Sequence, residues 1–269
     1  MPVLVNGREG AGLDPGDRGL QYGDGLFETM AIRDGRVRFF DWHLERLADG
    51  ARRLAFRLPD QNELHAQVVR ARPEGVGIVK LIVTRGVGAR GYRAALGIKP
   101  TVITTGYDWP AWPASAWTEG VCLRYCRTPL ARNPALAGIK HLNRLEQVLA
   151  RGEWDDERVA EGLMLDELGQ VVGGTQSNLF AVVSGEIVTP PVDQCGVAGI
   201  MRRAFRDWSR DHAATVITGA LRPEDLAAAS ELLVTNALIG AWPVRELAGR
   251  SVSLGSLATR FNAWLAGIR

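Results

Sequence analysis

Apolar and polar positions repeat along this chain with two different periods, and the changes of period mark its elements. Near the start, VLVN and the pair MAIRD and RVRFF read as short strands. The latter two join at Asp34-Gly35, a dipeptide suited to a two-residue hairpin turn. From about Asp41, a residue able to cap a helix, the spacing lengthens, and Leu44, Leu47, Ala48, Ala51, Leu54 and Ala55 fall on one helical face. His43 and Arg46 stand one turn apart on that helix and project the same way. A second helix is predicted over roughly 60–71, followed by strands at GIVKLIVT and around TVITT, which closes a compact α+β lobe over 1–106.

Residues 107–118, YDWPAWPASAWT, carry two prolines and three tryptophans and follow neither period, so they read as a connection between lobes. A second lobe over 119–269 begins with VCLRYC and passes through a helix at about 142–152. It continues with two hairpin-like units, LMLDELGQVV and NLFAVVSGEIVTP. A helix near 198–210, a strand at LLVT and a closing helix near 256–267 complete it. Strands and helices do not alternate regularly, so two α+β lobes are expected rather than a doubly wound sheet.

Composition narrows the functional classes. Over 269 residues the apolar fraction is 46% and the charged fraction 23%, values of an ordinary globular protein. Net charge is only +2, from 32 basic and 30 acidic residues, which supplies no field to draw the chain to nucleic acid or an anionic membrane. The N-terminal MPVLVNGREG has no basic region followed by a long apolar run, and no segment is apolar enough for a membrane helix, so a cytoplasmic location is expected. Cys122, Cys126 and Cys195 fit neither a disulfide framework nor a zinc pattern and read as buried thiols.

Among the motifs, GVGARG at 86–91 satisfies the dinucleotide-binding expression. That mechanism needs a full helix to begin there, and YRAALGIKP offers barely two turns, so a tight loop is expected. Its Arg90, Tyr92 and Arg93 suit carboxylate recognition. There is no Walker loop, H-E-x-x-H or nucleophile elbow, and the four histidines are too scattered to suggest a metal site.

LAGIKHLNRLEQ at 136–147 holds a lysine, Lys140, after an apolar, glycine-containing approach. Such an amine is either a solvated charge or a nucleophile toward carbonyl groups. Other segments weigh toward the second. Arg46 suits a phosphate, GVAGIMR at 196–202 begins a helix whose amides and dipole favour an anion, and TNAL at 235–238 offers a hydroxyl and an amide. A lysine with two anion-cradling turns points to pyridoxal phosphate, a phosphorylated cofactor that bonds covalently to an amine.

With these blocks in view, the chain resembles the branched-chain aminotransferase-like, fold-type IV pyridoxal-phosphate enzymes and, among them, the aminodeoxychorismate lyases. The likeness is carried by DRGLQYGDGLFET, the H-x-x-R of His43 to Arg46, TRGVGARGY, RNPALAGIKHLNRLEQVLAR, SNLF, DQCGVAGIMR and TNAL. The resemblance implies a two-lobed fold with a smaller N-terminal lobe, a larger C-terminal lobe with a barrel-like sheet, and the cofactor between them. It also implies a homodimer. Lys140 would form the Schiff base with the cofactor and then act as acid and base. Arg46, the backbone at Ile200 and Met201, and Thr235 with Asn236 would hold the phosphate. Arg90, Tyr92 and Tyr107 would face the substrate. The reaction implied releases pyruvate from aminodeoxychorismate to leave 4-aminobenzoate for folate synthesis. A D-amino-acid or branched-chain aminotransferase of the same fold is the alternative, and a binding protein without catalysis is the reading from another class.

One departure stands out. The family places a glutamate against the pyridine nitrogen a few residues before SNLF, and here that position is Gly173. Losing that partner weakens the cofactor as an electron sink. Elimination with aromatisation drains electrons through the leaving group, so it is expected to tolerate the loss better than transamination does. Glu28 is a second departure, because aminotransferases carry glutamate there and the lyases often have a smaller residue.

Overall fold

In the computed structural model, which describes residues 2–212 and 214–268, an antiparallel six-stranded sheet organises the first of two units. That unit contains the stretch up to Pro110 together with Ile139–Asn143, and the second contains Ala111–Gly138 and Arg144–Ile268. The fold class is α+β, as the patterning predicts.

The first unit runs β1 (Val3–Val5), β2 (Arg8–Glu9), α1 (Arg18–Tyr22), β3 (Gly25–Arg33), β4 (Arg36–Val37), α2 (Phe40–Arg53), α3 (Gln61–Ala71), β5 (Gly77–Thr84) and β6 (Thr101–Asp108). Its strand order is β2-β1-β6-β5-β3-β4. Asp34 and Gly35 take left-handed φ values of 50° and 70°, which makes the predicted hairpin turn between β3 and β4. RVRFF pairs only over Arg36–Val37, because Phe39 also turns left-handed (φ 54°) and the next residue already starts α2. Asp41 therefore lies in the first turn of that helix, where its charge suits the dipole, instead of capping it. Asp60 does cap α3, accepting from Asn62 N–H at 2.8 Å. Of the predicted face of α2, Leu44, Leu47 and Ala51 are buried and Leu54 is half-buried, whereas Ala48 is exposed and Ala55 lies exposed beyond the helix end with a left-handed φ of 54°.

The second unit comprises α4 (Ser115–Thr118), β7 (Val121–Tyr125), α5 (Leu145–Arg151), β8 (Val159–Leu165), β9 (Val171–Gly174), β10 (Asn178–Val183), β11 (Glu186–Thr189), α6 (Ile200–Asp211), β12 (Val216–Thr218), α7 (Pro223–Ala228), β13 (Glu231–Asn236), β14 (Gly240–Leu247), β15 (Arg250–Ser251) and α8 (Leu257–Ala266). Its strands order as β12-β11-β10-β13-β14-β7-β8-β9, with β15 on β14. The sheet curls enough for its end strand β9 to return against β10, where Gly174 N–H donates to Ser177 O at 2.8 Å. This is the barrel-like sheet expected of the larger lobe. Trp112, Trp117 and Trp242 pack edge to face, and Trp117 donates its indole N–H to Ile239 O at 2.8 Å.

One helix differs from its predicted extent. The pattern predicts a helix over about 142–152, and α5 covers only Leu145–Arg151. The missing turn is spent on the sheet of the first unit. Phe27 N–H donates to Lys140 O and Leu142 N–H to Gly25 O, each at 3.0 Å, while His141 bridges Leu26. Backbone groups paired with β3 cannot also close helical turns.

Helix α6 is fixed from below by aromatic packing. Phe205 meets Phe180 of β10 (4.3 Å between ring centroids), Phe261 of α8 (5.1 Å) and Trp208 (5.2 Å), and all four rings are buried. Phe205→Ala should therefore lower stability by about 3–5 kcal/mol in urea unfolding, the cost of an aromatic cavity. A loss under about 1 kcal/mol would mean that this cluster does not hold the helix in place.

Candidate active site

Lys140 is set by the strand-like insert just described. Ile139 beside it is buried, and the half-buried Lys140 ammonium lies 4.3 Å from the centre of the Phe27 ring. An amine over an aromatic face keeps some electrostatic stabilisation while losing water.

Next to Phe27, Glu28 is fully buried and is the centre of an ionic group. Arg46 donates Nε–H to Glu28 Oε1 at 2.8 Å and pairs through Nη2 with Oε2, while His43 Nδ1 lies 2.6 Å from Oε2. Burial alone would raise the Glu28 pKa. The charges and hydrogen bonds of Arg46 and His43 outweigh it and hold the carboxyl at about 2. His43 is pushed below its ordinary value, chiefly by burial, with the Arg46 and Lys140 charges adding to the effect against Glu28. A neutral imidazole donating from Nδ1 to the ionised carboxylate satisfies both groups. The predicted pair of His43 and Arg46 thus shares one helix face, and Glu28 is the residue that orients both.

The GVGARG loop is followed by no helix, as expected. Arg18, nearly buried, ion-pairs with Asp24 and donates to Gly91 O and Tyr92 O, each at 2.8 Å. Tyr22 accepts from Gly91 N–H, and its ring meets the edge of Tyr92 at 5.5 Å. Arg90 and Tyr92 project from this clamped loop with exposed side chains. Tyr107 stands apart from them. It pairs with Ile78, whereas the loop leaves the opposite end of the same ladder at Thr84 and Thr101, six residues and about 20 Å away along the strand.

In the second unit, backbone pairing holds the approach to α6 beside the end of β13. Gly138, two residues before Lys140, donates to Gly196 O (3.0 Å), and Ala198 N–H donates back to Gly138 O (2.9 Å), which steers the chain into α6. Helix α6 starts at Ile200 with Gly199 as its N-cap and no side-chain cap, so the N–H groups of Ile200 and Met201 have no partner within the helix. Gly199 must lack a Cβ, because one would strike Asn178 Oδ1. Asn178 donates to Val197 O at 2.9 Å and pairs across the ladder with Thr235. Thr235 is fully buried, and its hydroxyl makes no hydrogen bond. Asn236 Oδ1 accepts from Leu238 and Ile239 N–H, which folds the turn after β13. Thr235, Asn236, Ile200 and Met201, singled out in the sequence, therefore belong to one connected corner of this unit.

Beside Gly173 lies a carboxylate that the sequence reading passed over. Glu161 is buried and accepts from the N–H groups of Gly162 (2.9 Å), Thr175 (3.0 Å) and Gln176 (3.2 Å) and from the hydroxyls of Thr175 (2.6 Å) and Ser177 (2.8 Å). Five donors saturate both of its oxygens, so it shapes the β9–β10 turn and has no lone pair to spare. A Cβ at Gly174 would lie 2.6 Å from Glu161 Oε2, and one at Gly173 would lie 2.8 Å from the backbone oxygen of Ser177. The signal for Glu161 is a lone acid within the apolar strand VAEGLML.

Cys122, Cys126 and Cys195 are free and buried, and burial pushes the Cys126 and Cys195 thiols up to about 12 and 11. Among the described residues no group of His, Cys, Asp and Glu could hold a metal, and no helix is long and apolar enough to cross a membrane.

A family model, amino-transferase class IV, matches residues 25–247. The crystal structure of 4-amino-4-deoxychorismate lyase from Pseudomonas aeruginosa matches with a TM-score of 0.93 at 44% identity, covering 98% of this chain and 97% of that one. The aminodeoxychorismate lyase of Vibrio harveyi is 35% identical over 243 residues, 89% of each chain. A putative branched-chain-amino-acid aminotransferase of Methanocaldococcus jannaschii is 32% identical over 262 residues, 94% of this chain and 90% of its own.

Two consequences can be measured. Glu28 and His43 are both depressed on folding, so each stabilises the folded chain above its ordinary pKa and loses that contribution as pH falls. Stability in urea should begin to drop below about pH 6.5, through His43, and drop further from 4.5 toward about 2, through Glu28. Glu28→Gln should flatten the lower limb, and an unchanged profile would refute the assignment. Gly173→Ala should destabilise by about 1–3 kcal/mol through overpacking against a backbone atom that cannot rotate away. A neutral or stabilising result in thermal melts would show that the turn yields.

Proposed function

Because the chain belongs to the amino-transferase class IV family, we propose that it is a pyridoxal-phosphate-dependent lyase converting 4-amino-4-deoxychorismate to 4-aminobenzoate and pyruvate. The observation that carries this reading is Lys140, an amine held half-buried over Phe27 by backbone pairing with β3. Pyridoxal phosphate, when bound to the substrate amine, supplies an electron sink for the carbon that bears it. The remaining tasks fall to the protein.

The residues fit that cofactor. The buried Thr235 hydroxyl and the uncapped start of α6 match a phosphate group, with the N–H groups of Ile200 and Met201 as donors and the Asn236 amide beside them. In the unit that carries Lys140, Arg46 is the cation assigned to the cofactor, and Glu28 fixes the direction of its fork. The Lys140 amine would be the group that bonds to the cofactor and, once free, the base that takes the proton from the substrate ring carbon bearing the amine. The clamped loop presents Arg90 and Tyr92 to the substrate carboxylates.

Gly173 gives the ring nitrogen no carboxylate, and Glu161 is already saturated, so the site favours a reaction that expels its electrons with a leaving group. Loss of the enolpyruvyl ether with aromatisation is such a reaction. The buried Glu28 is what favours an aminotransferase of the same fold instead. A half-reaction with D-alanine or leucine separates the two readings, since only the aminotransferase would take the amine from either compound and release its keto acid.

The proposed setting is a homodimer in the cytoplasm. Support for the dimer is the exposed stripe of Leu145, Val148 and Leu149 on α5, and support for a reducing compartment is three free thiols.

Incubation with aminodeoxychorismate should yield 4-aminobenzoate, and Lys140→Ala should reduce the rate by at least about 10³-fold, the scale expected for loss of an acid–base group that is also the covalent anchor. Full activity in that variant would remove the central assignment.

A further inference from the structure

The first turn of α6 holds a charge without a counter-charge. Arg202, the third residue of the helix, is 8% exposed. Its Nε donates to Thr189 Oγ1 at 3.3 Å and its Nη2 to Pro190 O at 3.0 Å, both neutral acceptors. Among the described residues no carboxylate pairs with it, and the charge that acts on it is that of Arg206, one turn further on. Burial, reinforced by Arg206, pushes its pKa down to about 10, so it stays protonated at neutral pH.

Two effects oppose a cation here. A buried charge without a counter-charge loses its hydration and regains only part of that energy from neutral acceptors. A helix start carries positive partial charge, so an arginine in the first turn repels the dipole, and this turn contains no acidic residue to offset it. The same corner offers the N–H groups of Ile200 and Met201, and the Thr235 hydroxyl makes no hydrogen bond. Asn178 ties the two together through Val197 and the Thr235 ladder pair. All of these features ask for one thing, an anion of high charge at the start of α6.

We propose that Arg202 is the buried counter-charge of the cofactor phosphate, acting through space on the α6 start and thereby selecting the phosphorylated cofactor over its dephosphorylated form. The inference rests on the cofactor reading above. Arg202 is a positioning residue, because its fork is spent on Thr189 and Pro190 and its effect on the anion is electrostatic. The contribution is differential. It scales with the charge of the ligand and vanishes for one that lacks phosphate, whereas a packing role for Arg202 would affect both ligands alike.

The test titrates apo-protein with pyridoxal phosphate and with pyridoxal, following cofactor absorbance. Arg202→Gln keeps a donor for Pro190 and removes the charge, and Arg202→Lys keeps the charge. Arg202→Gln should weaken pyridoxal phosphate by about tenfold or more, the scale of a through-space charge pair inside a protein. Pyridoxal affinity should hold within about twofold, since no phosphate is present to feel the charge. Arg202→Lys should bind both compounds nearly as the wild type does. The apo form of Arg202→Gln should melt no lower than wild-type apo-protein. Equal losses for the two ligands, or a lower apo melting temperature with an unchanged ligand ratio, would overturn the proposal and leave a structural arginine. Should Arg202→Gln fail to fold, Arg202→Met carries the same comparison. Failure of the cofactor reading would show separately, as wild-type protein that binds neither compound. Inorganic phosphate is then the probe, and a thermal shift that the neutral variant loses supports the arginine assignment, while one that it keeps overturns it.

Discussion

An unpaired strand edge determines where the reactive amine stands. Strand β4 covers β3 only at Ile32 and Arg33, which leaves the backbone around Gly25–Phe27 without a neighbour on that side. Buried backbone groups must find partners, and the insert Ile139–Asn143 supplies them. The backbone of Lys140 is therefore placed by main-chain hydrogen bonds. Changes among neighbouring side chains leave that anchor in place. The insert also takes the first predicted turn of α5, so helix length is exchanged for accuracy in placing one residue.

Three buried charges are handled in three different ways. Glu28 is neutralised by a partner cation and a histidine, so its energy is internal to the first unit. Glu161 pairs with no cation among the described residues but is saturated by four donors from one turn and the N–H of Gly162 beside it, a purely dipolar solution. Arg202 has neither, only two neutral acceptors. The first two carboxylates are complete within the chain, and the arginine is incomplete. Buried charges that a chain fails to balance are informative about what it binds, because folding alone gives no reason to retain them.

Local pattern made much of the architecture legible. GIVKLIVT coincides with β5, Asp60 caps α3, and Asp34-Gly35 makes the hairpin turn, because each is decided by neighbours in sequence. The absence of a helix after GVGARG was readable for the same reason. Features settled by distant strands were not. The short α5 depends on β3, more than a hundred residues earlier, and the separation of Tyr107 from Arg90 and Tyr92 follows from the register of β5 with β6. His43 and Arg46 were visible as one helix face, but the burial that makes Glu28 their common partner is tertiary. Glu161 and Arg202 look like ordinary charged residues until the sheet and α6 enclose them.

The turn at Gly173 also bears on how such a site changes over generations. The backbone there has closed to the point where Ser177 O occupies the approach of any side chain, and Glu161 with Ser177 fills the adjoining space at Gly174. Restoring an acid at that position is thus not a matter of one codon. The backbone at Ser177 and Asn178 must first shift to admit a Cβ at Gly173. The shape of this turn and the residue it tolerates are thus fixed together, and the closed backbone itself resists an acid at Gly173.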